Sequence, residues 1–233
     1  MSGFFVTGTD TGVGKTIITG ALARALRMSG RSVGVFKPVE SGCAVRENEL
    51  VPEDAVFLKK MACCPEDLHA VCPYRMKHAL APGVAAALEG IEIDVARITA
   101  AFRTIQNRYD IVLVEGAGGL MVPVAGNLLT SGLITALKLP LLVVARLSLG
   151  TINHTLLTVK QAQHSGISVA GIILNQLSPE TRNAEDTNPA VIRKFTDVPI
   201  IGQMPYIPDE QRSDADCLAA AAADSIDFGL FTC

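Results

Sequence analysis

A glycine-rich segment near the start of the chain constrains its fold more than any other feature. Residues 8–16 read GTDTGVGKT, after a short apolar run at 3–6 and before a helical pattern that begins at Ile17. Glycines in such a loop let backbone N–H groups close around a phosphate, Lys15 can reach the β and γ oxygens of a nucleotide, and the Thr16 hydroxyl is placed to hold Mg²⁺. A glycine-rich turn before an ordinary helix would explain the glycines but not the Lys15-Thr16 pair. The segment therefore predicts a strand, a phosphate-binding loop and a helix that bind ATP or GTP.

The rest of the chain alternates short β-branched runs with amphipathic stretches. The predicted strands lie at 4–6, 32–36, 111–114, 141–145, 169–174 and 200–202. The predicted helices lie at 16–28, 53–61, 95–108, 128–137, 151–164 and 189–195. Strands that are apolar on both faces are typical of a parallel sheet covered by helices on both sides. We therefore expect a single α/β domain of the P-loop NTPase type over residues 1–233, with a mostly parallel central sheet. Residues 40–50 are polar and show no strand pattern, which predicts a mobile loop.

Charged side chains stand where several predicted strands end. Right-handed crossovers bring the loops after parallel strands to one edge of the sheet, where ligands collect. Lys37 closes the second strand, and a buried ammonium needs an anion; the alternative is a lysine that emerges into solvent. Glu115 closes the strand at 111–114 before several glycines, which favours a Mg²⁺ ligand opposite Thr16 over a turn cap. Asp54 starts a helix and fits a ligand or an ordinary first-turn carboxylate equally well.

Three later segments are also candidates for ligand contacts. The free N–H groups of the helix that starts after Gly150 attract carboxylates. The amides of Asn175 and Gln176 suit the edge of a nucleobase, although a plain turn explains them nearly as well. The third segment, which fits either a bracket for the base or a proline-rich surface loop, is Pro205-Tyr206-Ile207.

Composition limits the partners and the location that we expect. The chain has 20 Lys and Arg against 23 Asp and Glu, a formal net charge of -3, and no long basic run, so we expect no nucleic acid and no membrane as a partner. Its start shows no secretory pattern, and the apolar stretch at 139–145 is far shorter than the ~20 residues that span a bilayer. The 6 cysteines, Cys233 among them, form no C-x-x-C pair and fit reduced thiols. We expect a cytoplasmic protein.

The order and spacing of these motifs resemble one known family. The phosphate loop at 8–16 is followed by Lys37-Pro38-x-x-Ser41-Gly42, by Glu115-Gly116-Ala117-Gly118-Gly119 and by Asn175. This combination spans almost the whole chain and is similar to the dethiobiotin synthetase family. Pro73-Tyr74 and Pro82 also resemble the segment before that family's mid-chain helix.

The resemblance implies an ATP- and Mg²⁺-dependent ring closure in biotin biosynthesis. In that reaction 7,8-diaminononanoate is carboxylated with CO2 (or bicarbonate) to a carbamate. ATP phosphorylates the carbamate to a carbamic-phosphoric anhydride, and the second amine then closes the cyclic urea of dethiobiotin. ADP and phosphate leave.

The resemblance also implies roles for individual residues. Lys37, Lys15 and Thr11 would be catalytic, with Ser41 helping Thr11 to orient the diamine and the carbamate. Thr16, Asp54 and Glu115 would hold Mg²⁺. The nucleotide would be bound by Gly12, Val13, Gly14, Lys15, Thr16, Ile17, Asp54, Glu115, Gly116, Ala117, Gly118, Asn175, Gln176, Pro205, Tyr206 and Ile207. The family forms homodimers, so Gly150 and Asn153 would bind the far carboxylate of the substrate in the neighbouring subunit's active site.

Two other classes of protein share such a phosphate loop and sheet. Nucleotide-driven switches of the partitioning or division-site kind usually carry an extra lysine near the start of the loop, where this chain has Gly8-Thr9-Asp10. Their basic membrane helix also has no counterpart in the acidic stretch at 219–233. Amide-forming ligases of the cobyrinate type normally add a glutaminase domain, for which 233 residues leave no room. Both alternatives are therefore disfavoured.

Overall fold

The computed structural model describes residues 2–180 and 183–231. Its β-strands are β1 (Ser2–Gly8), β2 (Val33–Phe36), β3 (Val39–Ser41), β4 (Ala44–Arg46), β5 (Glu49–Val51), β6 (Tyr74–Met76), β7 (Ile111–Glu115), β8 (Pro123–Ala125), β9 (Leu128–Leu129), β10 (Leu141–Arg146), β11 (Val169–Asn175) and β12 (Ile200–Met204). Its α-helices are α1 (Lys15–Met28), α2 (Glu53–Ala62), α3 (Leu68–Val71), α4 (Pro82–Glu89), α5 (Val95–Gln106), α6 (Thr130–Leu137), α7 (Thr151–His164), α8 (Asn183–Phe195) and α9 (Ala215–Ser225). Two short 3-10 helices, Asp209–Gln211 and Phe228–Phe231, flank α9.

Six of these strands form one parallel sheet in the order β12-β11-β10-β1-β7-β2. Each of them overlaps one of the predicted strands, so the predicted parallel α/β sheet is confirmed. All five residues of β7 are buried. Because neighbouring side chains of a strand point to opposite sides, this burial requires helices on both faces of the sheet.

The register of the central strands brings the phosphate loop beside the end of β7. Val6 of β1 pairs with Glu115, and Gly8 pairs with Val144 of β10. The carboxyl ends of β7, β1 and β10 therefore lie side by side, and the loops that leave them share one edge of the sheet.

Most of the predicted helices are present near their predicted bounds. In α1 the residues Ile18, Leu22 and Leu26 are buried at the spacing of one helix face. The predictions at 16–28, 53–61, 95–108 and 151–164 match α1, α2, α5 and α7 within two residues at either end. The helix predicted at 128–137 begins two residues later because Leu128–Leu129 pairs with β8 as β9. The helix predicted at 189–195 begins at Asn183, with Pro189 inside it rather than at its start.

The prediction of a mobile loop at 40–50 is wrong. This segment contains the end of β3, all of β4 and the start of β5, and β4 and β5 form an antiparallel hairpin. The hairpin turns at Glu47 and Asn48, both of which have positive φ, the conformation of the tight turns that join antiparallel strands. β3 pairs in parallel with β6, which holds Glu40 beside Arg75. These strands of three residues are too short to show a clear alternating pattern.

The sequence patterns also missed two longer helices, α4 and α9. Both are rich in alanine, so they lack the contrast between apolar and polar faces on which periodicity depends. Their starts nevertheless carry standard signals. α4 has Pro82 at its first turn, and the Asp214 side chain caps α9 by accepting from two backbone N–H groups.

The described residues form one α/β domain around a continuous apolar core. The predicted limits of that domain include residues 1, 181, 182, 232 and 233, and these positions, Cys233 among them, lie outside the described residues. Within the described part of the chain, the other five cysteines form no disulfide with one another. No helix in the described ranges is long and apolar enough to cross a bilayer.

Candidate active site

The phosphate loop joins the end of β1 to the start of α1. Gly12 and Gly14 both have positive φ, and a side chain at Gly14 would run into the amide nitrogen of Asn175. No side chain caps the first turn of α1. Its free N–H groups therefore point toward the loop and are available to an anion such as a phosphate.

Lys15 is folded back over this loop. Its Nζ donates to the carbonyl oxygen of Asp10 at 3.2 Å, and the side chain is largely buried. Burial lowers the pKa of Lys15, against the opposing effect of the Glu115 carboxylate. Lys37 lowers that pKa further, because two ammonium groups that share a site repel each other.

Lys37, just after β2, forms the centre of an ion cluster in which Lys37 and Glu115 are buried and the Asp54 side chain is 41% exposed. Its Nζ lies 2.7 Å from Oδ2 of Asp54 and 2.6 Å from Oε1 of Glu115. Burial lowers the pKa of Lys37, but Glu115 and Asp54 outweigh it, so the pKa of this lysine is raised overall. The alternative of a lysine that emerges into solvent is therefore excluded.

Glu115 is the fully buried member of this cluster. The Thr16 hydroxyl donates to its Oε1 at 2.9 Å, the same oxygen that Lys37 contacts. Its Oε2 has no hydrogen-bond partner among the residues that the structure describes. A buried carboxylate oxygen without a partner is costly, so Oε2 is the atom of this cluster that most needs a further ligand.

The residues predicted to hold Mg²⁺ do come together. Thr16 and Lys37 both contact Glu115, and Lys37 contacts Asp54; burial raises the pKa of Asp54, but Lys37 and Thr16 lower it overall and keep it ionised. The residues at 2–180 and 183–231 contain no group of three or more His, Cys, Asp or Glu with metal-binding geometry. Two carboxylates and a hydroxyl are hard oxygen ligands that suit Mg²⁺ if phosphate oxygens complete its shell, so the residues fit a metal that arrives with its nucleotide.

A cavity of about 690 Å³ opens over this cluster. Its volume lies in the usual range for small-molecule sites. Fifteen of the predicted residues line it: Thr11, Gly12, Gly14, Lys15, Thr16, Ile17, Lys37, Ser41, Asp54, Gly116, Ala117, Gly118, Asn175, Gln176 and Ile207. Lys15 and Lys37, which come from separate elements, therefore share one pocket.

Six predicted residues do not line this cavity. The Val13 side chain packs into the apolar core instead of the cavity, and Glu115 lies under Lys37 and Thr16. Pro205 and Tyr206 are absent from the lining, although their neighbour Ile207 belongs to it. Gly150 and Asn153 lie on a separate, open and mainly apolar depression of about 510 Å³ at the start of α7.

Several side chains at the site already have partners within the chain. Asn175 donates one amide hydrogen to the carbonyl of Val13 at 2.9 Å. Its second amide hydrogen and its carbonyl oxygen are the groups left for a base. Gln176 donates to the carbonyl of Ser178 at 2.9 Å. The Ser41 hydroxyl donates to the carbonyl of Leu80 at 2.7 Å and keeps its oxygen as an acceptor.

The sequence patterns missed eight of the residues that line the cavity. They are Glu40, Ala79, Leu80, Ala81, Pro82, Val122, Leu177 and Arg212. Glu40 belongs to the segment wrongly predicted as a loop. Burial raises the pKa of Glu40 to about 7 against the opposing charge of Lys37. The charges of Glu40 and Arg212 were the available signals, because the apolar members of this set have no chemistry that a sequence pattern can detect.

Comparisons with known proteins agree with this geometry. A family model described as AAA domain matches residues 2–213. The chain is 46% identical over 212 residues to the ATP-dependent dethiobiotin synthetase BioD of Anaeromyxobacter sp. strain K, covering 91% of this chain and 93% of that protein. It is 43% identical over 216 residues to the protein of the same name from Thermodesulfovibrio yellowstonii, covering 89% and 90%. Among solved structures, a ParA family ATPase from Chlorobium tepidum aligns over 96% of this chain and 92% of that one, with a TM-score of 0.57 and 14% identity.

The parallel sheet, the phosphate loop and the Lys15-Thr16 pair define a P-loop NTPase. The likeness to the ParA family ATPase supports this fold and, at 14% identity, nothing finer. The identities of 43% and 46% over about nine tenths of the chain go further. The chain belongs to the ATP-dependent dethiobiotin synthetase family.

Proposed function

We propose that this protein is an ATP-dependent dethiobiotin synthetase that converts 7,8-diaminononanoate and CO2 into dethiobiotin, with ADP and phosphate as the other products. The observation that carries the proposal is the shared pocket of Lys15 and Lys37, in which a phosphate loop and a second buried cation face the same space. The family membership supports the same conclusion. A cytoplasmic location remains a prediction.

The two lysines suit a reaction between two anions. A carbamate oxygen must attack the γ-phosphorus of ATP, and both groups carry negative charge. A fixed cation within about 4 Å of the developing charge contributes roughly 4 kcal/mol at an effective dielectric constant near 20. If this interaction exists only in the transition state, it corresponds to a rate increase of about a thousandfold. We assign this role to Lys15 and Lys37, with Thr11 and Ser41 orienting the diamine and its carbamate.

Divalent metal fits the charge balance of the site. Asp54 and Glu115 offset the positive charges of Lys15 and Lys37, so these four side chains give the pocket no net positive charge for a nucleotide triphosphate. A bound Mg²⁺ would supply the missing positive charge. We propose that the Thr16 hydroxyl, Asp54 and the unpartnered Oε2 of Glu115 hold it, which leaves Oε1 paired with Lys37.

The adenine would lie at the end of the cavity formed by Asn175, Gln176 and Ile207. Asn175 ends β11, Gln176 follows it and Ile207 follows β12, on the far side of the loop from Lys37. Arg212 donates to the carbonyl of Ile207 at 3.0 Å and its guanidinium lies over the ring of Tyr206. Pro205 and Tyr206 would then support this end of the site rather than enclose the base.

We further propose a homodimer whose active sites lie at the subunit interface. Gly150 and Asn153 do not line the large cavity of their own chain, and they stand instead at an apolar depression. Three large apolar side chains on or beside that depression are exposed: Leu149 by 89%, Leu157 by 61% and Phe195 by 62%. A second subunit would cover them, and the free N–H groups at the start of α7 would then meet the far carboxylate of the diamine.

ATP hydrolysis measured with and without each co-substrate tests the proposal. We expect phosphate release to require both the diamine and bicarbonate, because the group that accepts the phosphoryl is made from them. Dethiobiotin should form in equal amount to ADP. Equal turnover with neither co-substrate present would contradict the synthetase and favour a nucleotide-driven switch.

A further inference from the structure

Glu40 is a buried carboxylate next to the ion cluster that the proposed reaction does not use. It lies on β3, is 6% exposed and reaches across to the start of α2. Its Oε1 accepts from the backbone N–H of Asp54 at 2.9 Å, and its Oε2 accepts from the N–H of Ala55 at 3.0 Å. Both oxygens of one side chain therefore hold two consecutive N–H groups of the same helical turn.

This contact replaces a helix cap that the local sequence lacks. The residue before α2 is Pro52, and no side chain at that position caps the helix. Nearby residues usually satisfy the free N–H groups at a helix start. Here Glu40 of β3, 14 positions before Asp54 in the chain, supplies the acceptors and ties the start of α2 to that strand.

Asp54 is held at two points by one short stretch of chain. Lys37, just after β2, binds the Asp54 carboxylate at 2.7 Å, and Glu40 binds the Asp54 backbone at 2.9 Å. The stretch between Lys37 and Glu40 is itself tied to its neighbours, because the Lys37 N–H donates to Val71 and β3 pairs with β6. The side chain and the backbone of Asp54 are thus both held by the segment that runs from Lys37 to Glu40.

We propose that Glu40 is a positioning residue that aims the Asp54 carboxylate at the divalent metal of the nucleotide. The inference rests on the proposed function, since it assumes that Asp54 is a ligand of that metal. Glu40 itself touches neither the metal nor the diamine in this assignment, and it acts through the first turn of α2. Partners that orient a metal ligand commonly affect metal affinity by 10- to 100-fold.

The test measures the affinity of the protein–ADP complex for Mn²⁺. Mn²⁺ replaces Mg²⁺ because its electron paramagnetic resonance signal reports the fraction of metal that is bound. Glu40→Ala should weaken Mn²⁺ binding about tenfold. Glu40→Gln keeps the shape and one acceptor oxygen, so its loss should be smaller. Glu53→Gln is the matched control: Glu53 is a first-turn carboxylate of the same helix, but it is exposed and pairs only with Arg46. It should leave Mn²⁺ affinity unchanged.

Repeating the substitution in an Asp54→Asn variant separates an effect on the position of Asp54 from a general loss of stability. In Asp54→Asn the ligand is already weakened, so adding Glu40→Ala should change Mn²⁺ affinity less than twofold, whereas a loss of stability would persist in both backgrounds. An equal loss of affinity in the two backgrounds, or none in Glu40→Ala alone, overturns the proposal. Should Glu40→Ala not fold, Glu40→Gln carries the same comparison.

The proposed function is tested independently of this result. Diamine-dependent ring closure by the unaltered protein does not depend on Glu40 variants. If the unaltered protein forms dethiobiotin but Glu40→Ala binds Mn²⁺ normally, only the inference about Glu40 fails. If the unaltered ADP complex binds no Mn²⁺, the metal site and the role of Glu40 fail together.

Discussion

Two regions of this protein differ in how completely one chain encloses them. At the end of β1, β2 and β7, charged side chains are buried and paired, with Lys37 held by Asp54 and Glu115. At the start of α7, Gly150 and Asn153 stand at an open apolar depression beside exposed leucines. The first region is a cavity that one chain encloses, and the second is an open surface that leaves large apolar side chains exposed. Under the proposed function, the first region transfers the phosphoryl group and the second binds the distant carboxylate of the substrate.

Lys37→Ala should have the largest effect, because it removes the buried cation on which the first region is built. We expect ring closure to fall about a thousandfold or more while ATP binding is largely retained. The uncompensated Asp54 and Glu115 should also lower the free energy of unfolding by about 3 kcal/mol. Single-turnover rates, ATP titration and denaturant unfolding measure these three quantities. Normal turnover would remove Lys37 from the mechanism.

Gly14→Ala should have the next largest effect, on ATP binding. The new methyl group would meet the amide of Asn175 at a backbone φ of 88°, which would push the phosphate loop out of place. Misplacement of about 1 Å can cost a hundredfold, and we expect a loss of ATP affinity of that order. Gly30→Ala is the control, since Gly30 has a φ of 90° but open space around it. It should cost about 1 kcal/mol of stability and leave ATP affinity unchanged. Equal ATP affinity in both variants would contradict this account of Gly14.

Gly150→Pro tests whether the second region acts on the neighbouring subunit. Proline cannot adopt the φ of 94° seen at Gly150, so the start of α7 should be misplaced and diamine affinity lost. Mixing Gly150→Pro chains with Lys37→Ala chains should then restore about a quarter of normal activity, because half of the random dimers hold one intact site of two. If the mixed chains form heterodimers but regain no activity, then Lys37 and Gly150 of one chain act in the same active site.

Asn153→Ala should have the smallest effect. Loss of one hydrogen bond to a charged carboxylate corresponds to about a tenfold rise in the KM for the diamine. The KM for ATP should stay within error, since Asn153 is not part of the nucleotide cavity. Steady-state kinetics with each substrate varied in turn measures both constants. A parallel rise in the KM for ATP would mean that the two regions are not separate.

Local sequence patterns predicted much of the fold, and the motifs together with the family resemblance predicted much of the cavity lining. The phosphate loop, the six strands of the sheet and four helices follow from runs of residues that are adjacent in the chain. Fifteen of the predicted residues line the cavity. The errors occur where elements are short or uniform: β3, β4 and β5 have three residues each, and the alanines of α9 show no periodicity.

The sequence by itself determined the α/β sheet and a phosphate site, because backbone preference and hydrophobic periodicity are properties of neighbouring residues. Only the tertiary structure decided which charges meet. Lys37 and Glu115 are 78 residues apart and Asn175 and Val13 are 162 apart, and each pair is brought together by the register of the parallel strands. The use of Glu40 as a cap for α2 was decided in the same way. Contacts of this kind depend on the packing of the whole sheet, and no local stretch of residues encodes them.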